Sequence, residues 1–219
     1  MSFPFKQSDK LTHVAFVLDK SGSMQSCIKP TIDGYNEQLQ VLRKSDHPVK
    51  LTLVQFNGQV EFKCVDEPFE NVDREMTNAD YQPNGSTAMY DAVYQTITKL
   101  ESLDGKGKDE AFLVVVLSDG QNTDNNGFRN TLAEKVQQVT STGRWTFNYI
   151  GSNQDLSKLA ADLNIPMSNM TRYASTNTGT QMAFNKSAGD LGKYFGGRTR
   201  GLTASTSYAN DTNEVADVS

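Results

Sequence analysis

The chain has 219 residues, of which 37% are hydrophobic and 21% charged, with a formal net charge of −5 at pH 7. This length fits one domain with a buried core, the acidic balance makes nucleic acid a poor partner, and no apolar stretch is long enough to span a membrane. Because the two cysteines, Cys27 and Cys64, do not make a disulfide framework and the first residues lack the apolar segment of a signal peptide, we expect a cytoplasmic protein.

The first predicted element after an N-terminal arm, residues 1–10, is a buried strand over residues 13–18. This apolar run is too short for a helix, and it ends in Asp19-Lys20-Ser21-Gly22-Ser23. Ligands of open α/β sheets bind where strands end, and carboxylate and hydroxyl oxygens suit hard cations such as Mg²⁺ or Mn²⁺. A turn that caps the next helix is the alternative, and this segment alone does not decide between them.

The next elements are a helix, a hairpin and a long connection. Apolar residues on one helical face follow the first loop, namely Ile28, Ile32, Tyr35, Leu39 and Leu42. Residues 49–56 predict a strand, and Asn57-Gly58 predicts a hairpin to an alternating strand that begins at Val60. Because such alternation indicates that one face of the strand is exposed to solvent, this strand is predicted at a sheet edge. Residues 66–84 are polar and predict a surface connection with at most one short helical turn.

The second half of the chain alternates helical and strand patterns. Helices are predicted over 86–100, around Leu132 to Val139, over 156–163 and around Phe184 to Phe195, and strands over 112–117, 145–150 and, weakly, 169–173. Strands that alternate with helices predict a mainly parallel sheet covered on both faces. Residues 197–219 are rich in Gly, Thr, Ser and Asn, and we expect a mobile tail there.

Three segments together resemble the von Willebrand factor A domain. They are Asp19 to Ser23, the segment Gly85-Ser86-Thr87-Ala88 that opens a helix, and Ser118-Asp119-Gly120 after an apolar strand. The metal-ion-dependent adhesion site of that family has Asp-x-Ser-x-Ser on a first loop, Thr on a second and Asp on a third. Carried over residue by residue, the motif is complete, and the implied metal ligands are Asp19, Ser21, Ser23, Thr87 and Asp119. The resemblance covers residues 11–196 and is to the short single-domain bacterial or phage type.

The resemblance implies a doubly wound, Rossmann-like α/β fold. Its six-stranded sheet is mostly parallel with one antiparallel edge strand, and helices lie on both faces. The implied cofactor is Mg²⁺, with Mn²⁺ or Ca²⁺ as alternatives. In the family the hydroxyls usually bind the metal directly and the aspartates often act through water. Mg²⁺ takes six oxygens, so two carboxylates and three hydroxyls leave at least one position, which in the family accepts a carboxylate from a partner protein.

The resemblance therefore implies a non-enzymatic protein-binding module of the adhesion or adaptor type. Its partner would offer an acidic residue, and a MoxR-type AAA+ ATPase or its substrate is a candidate. A metal-dependent hydrolase is the first alternative, and a structural or assembly protein of a larger complex, such as a viral one, is the second. The only histidines, His13 and His47, are predicted away from the strand ends and so do not supply a base for a serine nucleophile.

Overall fold

The computed structural model describes residues 10–72, 74–105, 109–119, 128–152, 156–174 and 176–199. The strands are β1 Thr12–Asp19, β2 Val49–Phe56, β3 Val60–Pro68, β4 Ala111–Ser118, β5 Trp145–Gly151 and β6 Met170–Arg172. The α-helices are α1 Ile28–Leu42, α2 Met89–Leu103, α3 Phe128–Thr140, α4 Leu156–Leu163 and α5 Asn177–Thr199. Short 3₁₀ helices cover Gly22–Cys27, Phe69–Asn71 and Met167–Asn169.

The strands form one sheet in the order β3-β2-β1-β4-β5-β6. Among the strands that the structure describes, only the β2–β3 pair is antiparallel, and the pairs between the other neighbouring strands are parallel. The predicted fold class is therefore confirmed, with the hairpin strand β3 at one edge. β3 is half-buried apart from the exposed Lys63, so its burial does not alternate, and irregularities interrupt its register with β2.

Alternate side chains of the buried strands enter two separate cores, as the pleat of a strand requires. On β1, Phe16 and Leu18 belong to the core under α1 and α5, whereas Ala15 and Val17 belong to the core under α2, α3 and α4. Every residue of β1 and β4 is buried. The middle of both strands is apolar, as is usual for strands covered on both faces, and their polar side chains, Thr12, His13, Asp19 and Ser118, lie at the strand ends.

The structure adjusts several predicted boundaries. Helix α2 begins at Met89, since residues 86–88 form the loop that enters it. Helix α5 continues to Thr199, three residues into the predicted tail. Residues 1–9 of the predicted arm and residues 200–219 of the predicted tail lie outside the described residues. Among the described helices, none has the length and hydrophobicity to cross a bilayer.

Aromatic rings line the end of the sheet where β1, β4 and β5 begin. Trp145 stacks on Phe112 with ring centroids 4.3 Å apart, and Phe112 stacks on His13 at 4.6 Å. His13 is buried, and its Nδ1 lies 2.5 Å from Asp66 Oδ1. This histidine is thus part of the packing at the end of the sheet opposite to Asp19, which is the last residue of β1.

Candidate metal site

The two predicted carboxylates lie at the carboxyl ends of neighbouring parallel strands. Asp19 ends β1, Asp119 directly follows β4, and these strands pair up to Leu18 and Leu117. Adjacent parallel strands end at the same edge of a sheet, where ligands bind in open α/β folds. Two residues that are far apart in the sequence are therefore brought to one place by strand pairing alone.

Both carboxylate oxygens of Asp19 accept hydrogen bonds from the loops around it. Oδ1 accepts from the backbone N–H of Ser21 at 2.7 Å, and Oδ2 accepts from the hydroxyl of Ser118 at 2.6 Å. Asp19 and Ser118 are both fully buried, with exposed fractions of 0%. Asp19 is thus held from two sides, by its own loop and by the residue before Asp119.

The hydroxyls of the first loop reach the second carboxylate. Ser21 Oγ lies 3.1 Å from Ser23 Oγ, and Ser23 Oγ donates to Asp119 Oδ1 at 2.6 Å. Ser23 is exposed, whereas the exposed fractions of Ser21 and Asp119 are 1% and 3%. The structure therefore brings these three residues together in one oxygen cluster that opens to solvent at Ser23.

The fifth predicted ligand, Thr87, lies in a loop that is bonded to the first loop. Thr87 is buried, with an exposed fraction of 4%, two residues before α2. In the same loop, Gly85 adopts a positive φ of 76°, which favours glycine, and its carbonyl accepts from the N–H of Gly22 at 3.0 Å. The N–H of Asn84 donates to the carbonyl of Lys20 at 2.7 Å, so two backbone bonds fix this loop beside the first.

Sequence reasoning missed two residues of the site, Tyr81 and Ser118. The hydroxyl of Tyr81 donates to the backbone carbonyl of Asp19, and this ring is fully buried although its segment was predicted as a surface connection. A lone tyrosine in a polar segment carries no periodic signal that would predict its burial. Ser118 stands directly before Asp119, so its position at a strand end was an available signal.

Two other polar residues near the predicted motifs have partners elsewhere. The ammonium of Lys20 pairs with Glu61 on the edge strand, and together with Lys63 it lowers the pKa of Glu61 to about 2. The carboxylate of Asp91 accepts from Gln95 Nε2 on its own helix at 2.9 Å. These contacts engage Lys20 outside the cluster around Asp19, and they place Asp91 on the helix surface.

Burial without a counter-charge makes the two carboxylates costly to ionise. Burial raises the pKa of Asp19 to about 6, and the nearby charge of Asp119 adds to this effect. Burial also raises the pKa of Asp119. Within the described part of the chain, neither carboxylate forms an ion pair with a Lys, Arg or His side chain. A cation placed between them would supply the missing charge.

The donor set fits a hard divalent cation. It consists of carboxylate and hydroxyl oxygens, which Mg²⁺, Mn²⁺ and Ca²⁺ prefer over the nitrogen and sulfur ligands of softer metals. The described residues contain no cluster of three or more His, Cys, Asp or Glu that would make a different metal site. Both cysteines are free thiols, and neither belongs to this oxygen cluster.

Comparison with known proteins agrees with this fold. The chain matches the family model described as von Willebrand factor type A domain over residues 13–187. No curated protein matches it. Solved structures with the same fold include proximal thread matrix protein 1 from the mussel byssus with a zinc-occupied MIDAS motif, at 14% identity and a TM-score of 0.58, over 81% of this chain and 44% of that one. This chain thus spans less than half of that protein's length.

Two further structures show the same likeness. The SpRpn10 VWA domain has 12% identity and a TM-score of 0.59, and the match covers 81% of this chain and 95% of that one. The manganese-loaded TRAP protein of Plasmodium vivax has 15% identity and a TM-score of 0.58, and the match covers 80% of this chain and 72% of that one. At these identities the structural likeness establishes the fold alone.

Proposed function

Because the chain belongs to the von Willebrand factor type A domain family, we propose that it is a metal-dependent protein-binding module. The proposed cation is Mg²⁺, with Mn²⁺ or Ca²⁺ as alternatives, and it would be held by the complete metal-ion-dependent adhesion motif. That motif consists of Asp19, Ser21, Ser23, Thr87 and Asp119. When bound, the cation supplies a coordination position for a carboxylate of a partner protein.

The observation that carries this proposal is the pair of buried carboxylates beside two hydroxyls. Asp19 and Asp119 are almost completely buried and pair with no cationic side chain that the structure describes. Isolated buried carboxylates are costly unless a cation or a proton neutralises them. The zinc-occupied site of proximal thread matrix protein 1 and the manganese-loaded TRAP protein support a divalent cation as that partner.

The proposed module is not an enzyme. Both histidines lie away from the site: His13 near the start of β1 against Asp66, and His47 in the turn before β2 within 3.0 Å of the Thr199 hydroxyl. Neither supports the roles of a general base or nucleophile partner at Asp19 or Asp119. A panel of phosphoester and nucleotide substrates with Mn²⁺ checks this, and turnover that Asp119→Ala abolishes would favour a metal-dependent hydrolase instead.

We propose a cytoplasmic setting and a bacterial or phage-type role. The two unpaired cysteines support a reducing compartment. The proposed partner offers an exposed acidic residue, and a MoxR-type AAA+ ATPase or its substrate is the first candidate, since the family resemblance points to it.

The first test measures metal binding by calorimetric titration of Mg²⁺ and Mn²⁺. We expect saturable binding to the wild type and no binding to Asp119→Ala. Ser26→Ala is the matched control, because Ser26 is an exposed serine of the same loop whose hydroxyl lies beside Cys27 Sγ at 3.5 Å, outside the oxygen cluster. A wild-type protein that binds neither cation would overturn the proposal.

The second test measures partner binding. The candidate ATPase is retained on the immobilised chain in Mg²⁺ and then in EDTA, with Ser21→Ala and Ser26→Ala as the paired variants. Retention that requires both the metal and Ser21 supports a metal-bridged contact. Retention that is equal in EDTA contradicts it, because the metal would then have no part in the interface.

A further inference from the structure

Two Asn-Gly pairs meet beside the proposed metal site. Asn57-Gly58 lies in the turn between β2 and β3, and Asn84-Gly85 lies in the loop that precedes α2. The side chains are joined, because Asn57 Nδ2 donates to Asn84 Oδ1 at 2.8 Å. A third pair, Asn126-Gly127, lies outside the described residues. An asparagine before glycine is prone to deamidation, since glycine has no side chain to hinder attack by its own backbone nitrogen.

Deamidation at such a pair is an intramolecular displacement followed by hydrolysis. The backbone nitrogen of Gly85 attacks Cγ of Asn84 and loses its proton to water. A C–N bond forms, and the side-chain amide gains a proton and leaves as ammonia. The resulting five-membered succinimide then adds water. Opening at Cγ gives aspartate, whereas opening at the backbone carbonyl gives isoaspartate, in which the main chain runs through the side-chain carbons. Water is the co-reactant, and no group is oxidised or reduced.

Asn84 is the better placed of the two asparagines for this reaction. Each side-chain carbonyl accepts a hydrogen bond that polarises it for attack, Asn84 from Asn57 Nδ2 and Asn57 from the N–H of Gln59 at 3.0 Å. Ring closure also requires rotation of the peptide group that follows the asparagine. The carbonyl of that group in Asn57 is held by the Ala88 N–H at 2.7 Å. Asn84 is exposed to the water that opens the ring, whereas Asn57 is half-buried.

Two backbone hydrogen bonds bracket the peptide bond between Asn84 and Gly85. The N–H of Asn84 donates to the Lys20 carbonyl at 2.7 Å, and the Gly85 carbonyl accepts from the N–H of Gly22 at 3.0 Å. Isoaspartate adds one carbon atom to the main chain between these two bonds, so both cannot keep their present geometry. The loop that carries Thr87 would then separate from the loop after β1.

We propose that Asn84 is a site of spontaneous deamidation, and that its isoaspartate form detaches the Thr87 loop from the loop after β1 and weakens cation binding. The second half of this inference rests on the proposed metal site, whereas the first half does not. The chain thus loses cation affinity with age, at a rate that is set by one peptide bond.

The first test incubates the native chain in mildly alkaline buffer and maps its peptides by mass spectrometry. The same chain in urea is the reference, because unfolding removes the contacts that distinguish the two pairs. We expect native Asn84 to convert while native Asn57 stays intact, and both to convert at similar rates in urea. A native Asn57 that converts as fast as Asn84, or a native Asn84 that stays intact, would overturn the proposed site.

The second test titrates Mn²⁺ into the aged chain, whose isoaspartate content is measured by enzymatic methylation. We expect the isoaspartate fraction to bind Mn²⁺ roughly 10–100-fold more weakly than the fresh chain. Asn84→Asp carries the added charge on a main chain of normal length and should bind at least as tightly as the fresh chain. Asn84→Gln, aged in the same way, controls for changes elsewhere, because its longer side chain closes a ring far more slowly.

The outcomes separate this inference from the proposed function. Equal binding by the isoaspartate fraction and the fresh chain would overturn the release of the loop. Equal weakening in Asn84→Asp would overturn it as well, because the added charge would then explain the loss. A fresh chain that binds no Mn²⁺ would overturn the proposed metal site and the second half of the inference, while the peptide maps would still decide the first half.

Discussion

The buried carboxylate of Asp19 makes the stability of the cation-free chain depend on pH. In EDTA, burial holds its pKa at about 6, against an ordinary value of 3.8. Between these two pH values the folded state binds a proton that the unfolded chain has released, so the free energy of unfolding falls as the pH rises through this window. We expect a loss of about 2 kcal/mol between pH 4 and pH 7 in EDTA, measured by urea unfolding.

Asp19→Asn is the control for this pH dependence. The amide has no charge to bury, so most of the slope in EDTA should disappear, and the small remainder belongs to Asp119, whose pKa burial also raises. Saturating Mg²⁺ should flatten this slope in the wild type, because the cation replaces the proton. A wild-type stability in EDTA that is flat or rises from pH 4 to pH 7 would contradict the burial of an ionisable Asp19.

The chemistry of single residues was only partly predictable from the sequence. Asp19, Ser21 and Asp119 follow from a spaced motif at the ends of apolar runs. The contacts of Tyr81 and Ser118 with Asp19 could not be predicted from the motif. They depend on how loops from distant parts of the chain pack around Asp19. Motifs predict which atoms a site offers, whereas packing determines which of those atoms are already engaged.

At the scale of elements, α1 and α5 approach each other through Gly34. A Cβ atom at Gly34 would lie 2.0 Å from Phe184 Cγ, so no side chain fits there without moving the helices apart. We expect Gly34→Ala to lower the free energy of unfolding by about 1–3 kcal/mol, the usual effect of overpacking. Chemical denaturation followed by circular dichroism measures it.

Gly189→Ala is the matched control on α5. No heavy atom lies within 4 Å of the position that a Cβ atom would take at Gly189. Because alanine is the better helix former, Gly189→Ala should raise the free energy of unfolding by about 0.5–1 kcal/mol. An equal rise in the free energy of unfolding for Gly34→Ala and Gly189→Ala would contradict the close approach of α1 and α5.

Element types were more predictable than element ends. Helix α1 and strands β1 and β4 follow from long apolar patterns, which tertiary contacts seldom override. The start of α2 at Met89 could not be predicted from the local pattern. The Ala88 N–H donates to the Asn57 carbonyl at 2.7 Å, and this long-range bond keeps the preceding residues in the loop. A bond between segments so far apart leaves no trace in the local sequence pattern.

At the scale of the whole molecule, the metal should act as a stabilising ligand. A ligand at 100 times its Kd adds about 2.7 kcal/mol to the free energy of unfolding. For a chain of this size, each kcal/mol raises Tm by about 2–4 °C. We therefore expect Mg²⁺ at that excess to raise Tm by roughly 5–10 °C over EDTA, measured by calorimetry. Asp119→Ala should show no such rise, and an equal rise would point to binding elsewhere.

Trp145 is the single tryptophan of the chain, and its place in the aromatic row gives the protein a built-in optical reporter. It is buried and stacked on Phe112, six residues along the sheet from Ser118. That spacing corresponds to roughly 20 Å of strand. The fluorescence of the indole therefore reports whether the sheet is intact and is insensitive to what binds at the other end. Emission spectra thus follow unfolding in either buffer without a contribution from the cation.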